Sequence, residues 1–143
     1  MSASAYLLLA TCILMAPARD DAADKEAKAL AGSWKLIKAA ERGRDMPEDD
    51  MKDFALQIEG NKLTITRKGE KMPATFTVNP GKSPKELDVT WTEGPFAGST
   101  VKCVYELKGD EFTFRAGQRS GGGERPKSLT EGGQILFVFK KAK

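Results

Sequence analysis

The sequence predicts an all-β protein, an eight-stranded antiparallel up-and-down barrel with a short helix before the first strand. Three observations predict this fold. Apolar and polar residues alternate from residue 33 to the C-terminus, tight-turn residues separate the alternating segments, and no helical crossover connects them. Such a sheet has one buried face and most simply closes on itself, because closure removes its exposed edges. A two-sheet sandwich is the alternative.

The alternating segments define the predicted strands. A stretch from Asp20 to Ala31, rich in alanine, lysine and acidic residues, precedes them and favours a short helix. After Gly32 the apolar period changes to two and remains there, which is typical of strands with one buried face. The predicted strands are 33–40, 54–59, 62–67, 72–78, 86–92, 100–108, 111–117 and 134–141.

Three two-residue turns give an independent check on the strand register. Each turn contains glycine, which tolerates the positive φ that tight hairpins require. In all three hairpins, apolar residues then face apolar residues, whereas a slip of one residue would reverse every face. The turns are Gly60-Asn61, Gly109-Asp110 and Gly69-Glu70, and they predict the pairs Ile58 with Leu63, Leu107 with Phe112, and Ile65 with Ala74.

The first eighteen residues have the features of a secretory signal peptide. The apolar run from Tyr6 to Ala16 is too short to span a bilayer. Ala16-Pro17-Ala18 then offers the small residues that signal peptidase needs, and charged residues follow at once. We therefore expect export to the periplasm or the exterior. A buried or frayed N-terminal helix is the alternative reading of this segment.

One domain follows the signal peptide. We expect a signal peptide over 1–18, a short helix or linker over 19–31 and the barrel domain over 32–143. Cys12 follows Thr11, which is larger than is usual before a lipidated cysteine, so we do not expect lipoprotein anchoring. Export would leave Cys103 as the only cysteine, which excludes an internal disulfide.

Several short motifs resemble those of a known family. Gly32-Ser33-Trp34 resembles the Gly-x-Trp signature of the lipocalins and their calycin relatives. The chain is more specifically similar to an uncharacterised lipocalin-like domain abundant in planctomycete bacteria, over about Leu30 to Lys141. The matching stretches are Leu30–Leu36, Phe76–Pro80, Ser83–Asp88, Tyr105–Asp110 and Arg125-Pro126.

The resemblance implies a lipocalin-like barrel and no established activity. Two positions depart from the family pattern. Lipocalin relatives place an arginine over the tryptophan near the C-terminus, where this chain has Lys140 and Lys141, of which Lys141 has the inward phase. Leu129 stands where a phenylalanine accompanies the Arg-Pro motif.

The composition argues against catalysis. The chain has no histidine, which removes the usual general base and the commonest metal ligand. One mature cysteine cannot form a thiolate metal site, and we find no nucleophile or phosphate-loop motif. The net charge of +3 is too small for nucleic-acid binding. We therefore expect a monomer that is not an enzyme, with no cofactor, no metal, no nucleic-acid partner and no transmembrane segment.

The loop lengths predict which end of the barrel is open. Loops alternate between the two ends of an up-and-down barrel, and the long loops 41–53, 93–99 and 118–133 share one end, which we predict to be the mouth. Arginines cluster there, and guanidinium groups bind carboxylates or phosphates. The sequence thus predicts a binding module for a small amphipathic or anionic ligand, with Lys38 and Arg67 pointing inward below the rim. The candidate ligand-binding residues are Lys38, Arg67, Phe96, Arg115, Arg119 and Arg125.

Two alternatives weigh against this site. The rim bases could pair with rim acids instead of a ligand: Glu48, Asp49, Asp50, Asp53, Glu93 and Glu124. Nine inward rings could also fill at least the closed half of an eight-stranded barrel. These rings are Trp34, Phe54, Phe76, Trp91, Tyr105, Phe112, Phe114, Phe137 and Phe139. The rival function is therefore a solid-core structural or protein-interaction domain with no small-molecule ligand. Leu136 and Val138 on the outer face of the last strand support that rival, unless the N-terminal helix covers them.

Overall fold

The computed structural model of the chain describes residues 21–118 and 123–142, and these form strands, two short helices and connecting loops. The predicted signal peptide, Cys12 and Arg119 lie outside the described residues. The helices are α1 (Asp21–Leu30) and α2 (Glu48–Met51). The strands are β1 (Gly32–Glu41), β2 (Arg44–Asp45), β3 (Phe54–Glu59), β4 (Lys62–Arg67), β5 (Glu70–Asn79), β6 (Lys85–Trp91), β7 (Thr100–Lys108), β8 (Glu111–Ala116) and β9 (Ile135–Lys141).

The sheet is a closed antiparallel barrel of eight strands. The strands pair in the order β1-β3-β4-β5-β6-β7-β8-β9, and β9 pairs back onto β1. This order is the up-and-down meander that the sequence predicts, and the sandwich alternative is wrong. The sequence did not predict β2, a two-residue strand that extends β1 in a hairpin over Arg42 and Gly43, or α2, which follows it.

Two of the three predicted hairpins have the predicted register. Gly60 and Gly109 have positive φ, of 59° and 57°, at the first central position of their turns, as type II′ turns require. These turns set Ile58 against Leu63 and Leu107 against Phe112. The local sequence therefore fixes the pairing of β3 with β4 and of β7 with β8.

The third hairpin is displaced by one residue along the chain from its prediction. The central residues are Lys68 and Gly69, with φ of 50° and 83°, so Arg67 pairs with Glu70 and Ile65 with Met72. Lysine rarely adopts a positive φ, so the local sequence gives no sign that Lys68 is a central residue of this turn. The shift moves the partner of Ile65 by two residues, so the same face of β5 still points inward.

A β-bulge in β1 overturns one predicted orientation. In the pairing with β9, Leu36 faces Phe139 and the next paired residue, Lys38, faces Val138, so Ile37 is an extra residue. An extra residue reverses the alternation that follows it. Ala39 is therefore buried, whereas Lys38 is exposed and Ile37 is 45% exposed. The prediction that Lys38 points into the barrel is wrong.

The core is built from an aromatic wall and an aliphatic wall. Seven of the nine inward rings lie on contiguous strands around the closure: Trp34, Phe54, Tyr105, Phe112, Phe114, Phe137 and Phe139. They form one continuous set of contacts, with ring centroids 5.0 Å apart for Phe114 and Phe137 and 5.7 Å for Trp34 and Phe112. Each buried ring stabilises the fold by roughly 1.5–3 kcal/mol before entropy costs. The facing strands β4, β5 and β6 carry mostly aliphatic side chains inward.

Helix α1 closes the end of the barrel at which β1 begins. Leu30 is fully buried, and its carbonyl accepts a hydrogen bond of 2.7 Å from Trp34 Nε1. Glu26 Oε1 accepts further hydrogen bonds from Lys85 Nζ at 2.7 Å and from the Tyr105 hydroxyl at 3.2 Å. Burial and this carboxylate both raise the pKa of Tyr105 above its usual value, which keeps the hydroxyl protonated as a donor.

The helix does not cover the outer face of the last strand. It packs against β5, so Leu136 and Val138 remain half-buried on the outer surface.

Lys141 covers Trp34 at the same closed end. Its Nζ lies 5.5 Å from the centre of the ring, within the range of a cation–π interaction. Gly32 makes this approach feasible, since a Cβ at that position would lie 3.1 Å from Lys141 Cε. Gly32 also has a φ of 129°, a conformation that other residues rarely adopt.

We therefore expect Gly32→Ala to destabilise the protein by about 1–3 kcal/mol, the usual cost of a strained backbone conformation. Gly81→Ala is the matched control, because Gly81 is exposed and its added Cβ would make only an ordinary contact, 3.6 Å from Asn79 Oδ1. Guanidinium denaturation measures both variants. Equal stabilities for the two would contradict this role of Gly32.

Candidate functional site

The long connections lie together at one end of the barrel, as the strand order requires. This end carries the β1–β3 connection with β2 and α2, the β4–β5 turn, the β6–β7 loop over residues 92–99 and the β8–β9 connection over 117–134. The other end carries two tight turns, the 80–84 loop and α1. The open end is therefore the one without a helix across it, and we call it the mouth.

A cavity of about 290 Å³ extends from the mouth down the barrel. It reaches the closed end, where Leu30 and Ile58 line it, so the expectation that rings fill the closed half is wrong. The reason is that the rings lie around the cavity and do not fill it. Six of the nine rings line the cavity, while Trp34, Tyr105 and Phe139 pack outside its lining. The other lining residues in the closed half are aliphatic, such as Leu56, Leu63 and Leu87.

Most polar side chains of this cavity lie near the mouth. Glu41, Arg67, Trp91 and Gln134 lie at or next to the mouth ends of their strands, and Cys103, which pairs with Leu87, lines the cavity further down. Apart from the Cys103 thiol, the described side chains that line the lower part are apolar. A molecule inside would thus find an apolar environment below and charged groups above, the arrangement typical of small-molecule sites.

Arg67 is the predicted site residue that the structure places in the cavity. It is the last residue of β4, where it faces Phe54 across the pair with β3 and Glu70 across the turn. The side chain is half-buried. Among the described residues, no carboxylate lies within ion-pair distance of its guanidinium. Arg67 therefore offers an unneutralised cation to the cavity.

Glu41 is a cavity residue that the sequence did not predict. The bulge at Ile37 turns Ala39 inward, so Glu41, two residues further, faces the mouth. The bulge thus replaces the expected Lys38 by an acid. The only sign of this bulge in the sequence is the adjacent apolar pair Leu36-Ile37, which breaks the alternation of apolar and polar residues.

Trp91 supplies an unused donor inside the cavity. Its Nε1 is buried and has no hydrogen-bond partner among the described residues. A buried N–H without a partner costs roughly 1–3 kcal/mol. The sequence predicts Trp91 as a core ring but gives no sign that its N–H is left free.

Cys103 contributes a neutral thiol. Burial is the main cause that raises its pKa to about 12. Because the thiolate is the nucleophilic form, the thiol is unreactive near neutral pH.

Two other predicted site residues lie away from the cavity. Phe96 is half-buried within the 92–99 loop, and its carbonyl accepts the Ser99 N–H at 2.9 Å, but its ring is not part of the cavity lining. Arg115 lies on the outer face of β8, where its Nε donates to the Gly132 carbonyl at 2.5 Å.

Arg125 also lies outside the barrel, where it anchors the segment 123–133, which we call the strap. Its guanidinium forms ion pairs with Asp88 at 2.6 Å and Glu86 at 3.2 Å. It also donates to the Cys103 carbonyl at 2.7 Å. These partners lie in the middle of β6 and β7, so Arg125 is bound to the outer wall and is not a mouth residue.

The strap covers an apolar patch on that outer wall. Val104 has the outward phase of β7, yet it is only 1% exposed and does not belong to the internal core cluster. Pro126 in the strap is also buried. Gly133 is the last residue of the strap and has a φ of 68°. A Cβ at this position would lie 2.7 Å from Pro126 Cγ, so glycine allows the two ends of the strap to approach closely. The Arg-Pro motif therefore has a structural role.

The predicted pairing of rim arginines with rim acids is absent from the described residues. Asp49 and Asp50 form ion pairs with Lys52 and Lys68, at 3.1 and 3.9 Å, and not with arginine. Within the same described ranges, no cluster of three or more acids or cysteines could hold a metal ion.

Comparisons with protein-family models, with curated proteins and with solved structures find no match to this chain. No helix among residues 21–118 and 123–142 is long and apolar enough to cross a membrane.

We expect Arg125→Ala to destabilise the protein by about 1–3 kcal/mol, since it leaves two half-buried carboxylates without a counter-charge. Lys35→Ala is the matched control, because Lys35 is an exposed cation on β1, away from the two carboxylates on β6. Urea denaturation of both variants measures the effect. A loss no larger than that of the control would show that the strap is not held by Arg125.

Proposed function

We propose that the chain is a lipocalin-like binding module that holds a small amphipathic ligand, with an apolar body in the barrel and an anionic group at Arg67. The observation that carries the proposal is an apolar cavity of about 290 Å³ whose upper lining includes Arg67, which forms no ion pair with an acid among the described residues. Export, predicted from residues 1–18, is part of the proposal and rests on the sequence alone.

The cavity sets the size of the apolar body. Its volume of about 290 Å³ is roughly twice that of a ~150 Å³ apolar cavity that binds benzene. A linear or compact body of about ten carbon atoms would therefore fill it. The lining is aliphatic and aromatic, so contact with such a body is driven by burial of apolar surface.

The upper part of the cavity sets the polarity of the head. Arg67 can donate two parallel hydrogen bonds to a carboxylate or phosphate. The free Trp91 N–H provides one further donor below the rim. A ligand acceptor there would remove the cost of a buried unpaired donor. Both features favour a ligand whose acceptor atoms lie near the mouth.

The rival function, a solid-core interaction domain, is less well supported. It requires a barrel filled by side chains, whereas the cavity extends from Arg67 to Leu30. The exposed Ile37, together with half-buried Leu136 and Val138, is the observation that favours this rival. These side chains form a small apolar area, and scattered exposed apolar residues are ordinary on protein surfaces.

Isothermal titration calorimetry with decanoate tests the proposal. We expect decanoate to bind, and Arg67→Gln to weaken binding about tenfold, which corresponds to roughly 1.4 kcal/mol. Arg115→Gln is the matched control, because Arg115 lies on the outer face of the barrel. Val89→Phe, which places a ring in the cavity, should abolish binding while the variant remains folded. Decanoate binding that survives both Arg67→Gln and Val89→Phe would contradict a site in the barrel.

A further inference from the structure

Two opposite charges line the cavity at the mouth, and they do not neutralise each other. Glu41 and Arg67 both line the cavity, and both also line the shallow groove that continues from it across the rim. No ion pair joins them or links either to another described residue. Opposite charges at one opening would usually form a surface ion pair, so their separation calls for a structural explanation.

The strand order explains why they stay apart. Glu41 ends β1 and Arg67 ends β4, with β3 between them. Neighbouring strands lie about 4.8 Å apart, so the two backbones are separated by roughly 10 Å or more. The last residue of β1 that pairs with β3 is Lys35, opposite Ala55 near the start of β3, so Glu41 lies six residues further along β1 than this pairing reaches.

The connection between β1 and β3 holds this opening in place. The Met46 N–H donates to the Ala39 carbonyl at 2.8 Å, which fixes the connection beside the end of β1. Met46 and Pro47 line the groove together with Glu41, Arg67 and four other charged residues, Arg42, Arg44, Asp45 and Asp50. Of these charged residues, only Glu41 and Arg67 also line the cavity. The groove gives a polar head room to reach both charges while its apolar body remains in the barrel.

We propose that the mouth is built for a zwitterionic head group, with an ammonium group at Glu41 and a phosphate or carboxylate at Arg67. This inference rests on the proposed binding function and narrows its ligand class to an amphiphile of about ten apolar carbons with both charges on its head. A purely anionic head would meet attraction at Arg67 and repulsion at Glu41. A zwitterionic head meets attraction at both.

A matched series of ten-carbon amphiphiles tests the inference. Decylphosphocholine, decanoate, decyltrimethylammonium and the neutral decyl maltoside share the apolar body and differ in the charge of the head. Calorimetric titrations are run on the full chain below micelle-forming concentrations. We expect decylphosphocholine to bind tightest, about tenfold tighter than decanoate, and each singly charged ligand to bind less tightly because it meets one repulsive group.

Substitution at Glu41 gives the sharper result. We expect Glu41→Gln to weaken decylphosphocholine binding and to strengthen decanoate binding, so that the preference between them is lost or reversed. Glu93→Gln is the matched control, since Glu93 is an exposed acid in the loop at the same end and does not line the cavity. It should leave both affinities unchanged.

The outcomes separate this inference from the proposed function. If decanoate binds at Arg67 and decylphosphocholine binds no better, or if Glu41→Gln changes both affinities in the same direction, the zwitterionic site is wrong and the anionic module stands. If none of the four amphiphiles binds, both the inference and the proposed function are wrong.

Discussion

The structure depends on how one strand, β1, pairs on both of its edges. At its start β1 pairs with β3, and along its whole length it pairs with β9, which closes the barrel. The extra residue Ile37 bends β1 just beyond the part that pairs with β3, as bulges commonly do where a sheet curves. Closure then buries every inward face and leaves no long strand edge exposed.

The same bulge determines what the barrel presents at its mouth. It turns Lys38 out and Ala39 in, and it brings the exposed Glu41 to the rim of the cavity. Without the extra residue, the alternation would place Lys38 and Ala40 on this side of the strand. Together with Arg67 on β4, Glu41 gives the upper lining of an apolar cavity one charge of each sign. A local backbone irregularity thus becomes a property of the binding site.

The closed end is held by interactions of a different kind. Leu30 and Trp34 seal it through burial and one hydrogen bond, and Lys141 lies over the outer side of the tryptophan. The strap adds a second layer over β6 and β7 through Arg125. Trp34, Lys141 and Arg125, which hold these contacts, do not line the cavity, whereas Leu30 both seals the closed end and lines it.

The sequence predicts most of this fold because its decisive signals are local. Alternation and glycine turns determine the barrel, and they set the registers around Gly60 and Gly109 correctly. The sequence fails where one extra residue or a distant partner decides the outcome. The bulge at Ile37 changes the phase without a turn signature. Arg125 acts on Glu86 and Asp88, nearly forty residues earlier in the chain, and no local pattern reveals that pairing.

The candidate site was therefore only partly predictable. Arg67 has the correct phase because nothing interrupts β4, and the structure places it in the cavity. Glu41 and the free Trp91 N–H depend on three-dimensional packing, so they emerge only from the structure. The cavity itself results from the placement of most rings on one wall, which a count of inward rings does not show.

The most direct test of the account is to locate a bound amphiphile by nuclear magnetic resonance. Nuclear Overhauser effects would be measured between decylphosphocholine and methyl-labelled protein. The account predicts contacts from the terminal methyl of the ligand to Ile58 and Leu63 near the closed end, and from its head group to the Arg67 side chain. Contacts confined to Ile37, Leu136 and Val138 on the outer face would contradict it.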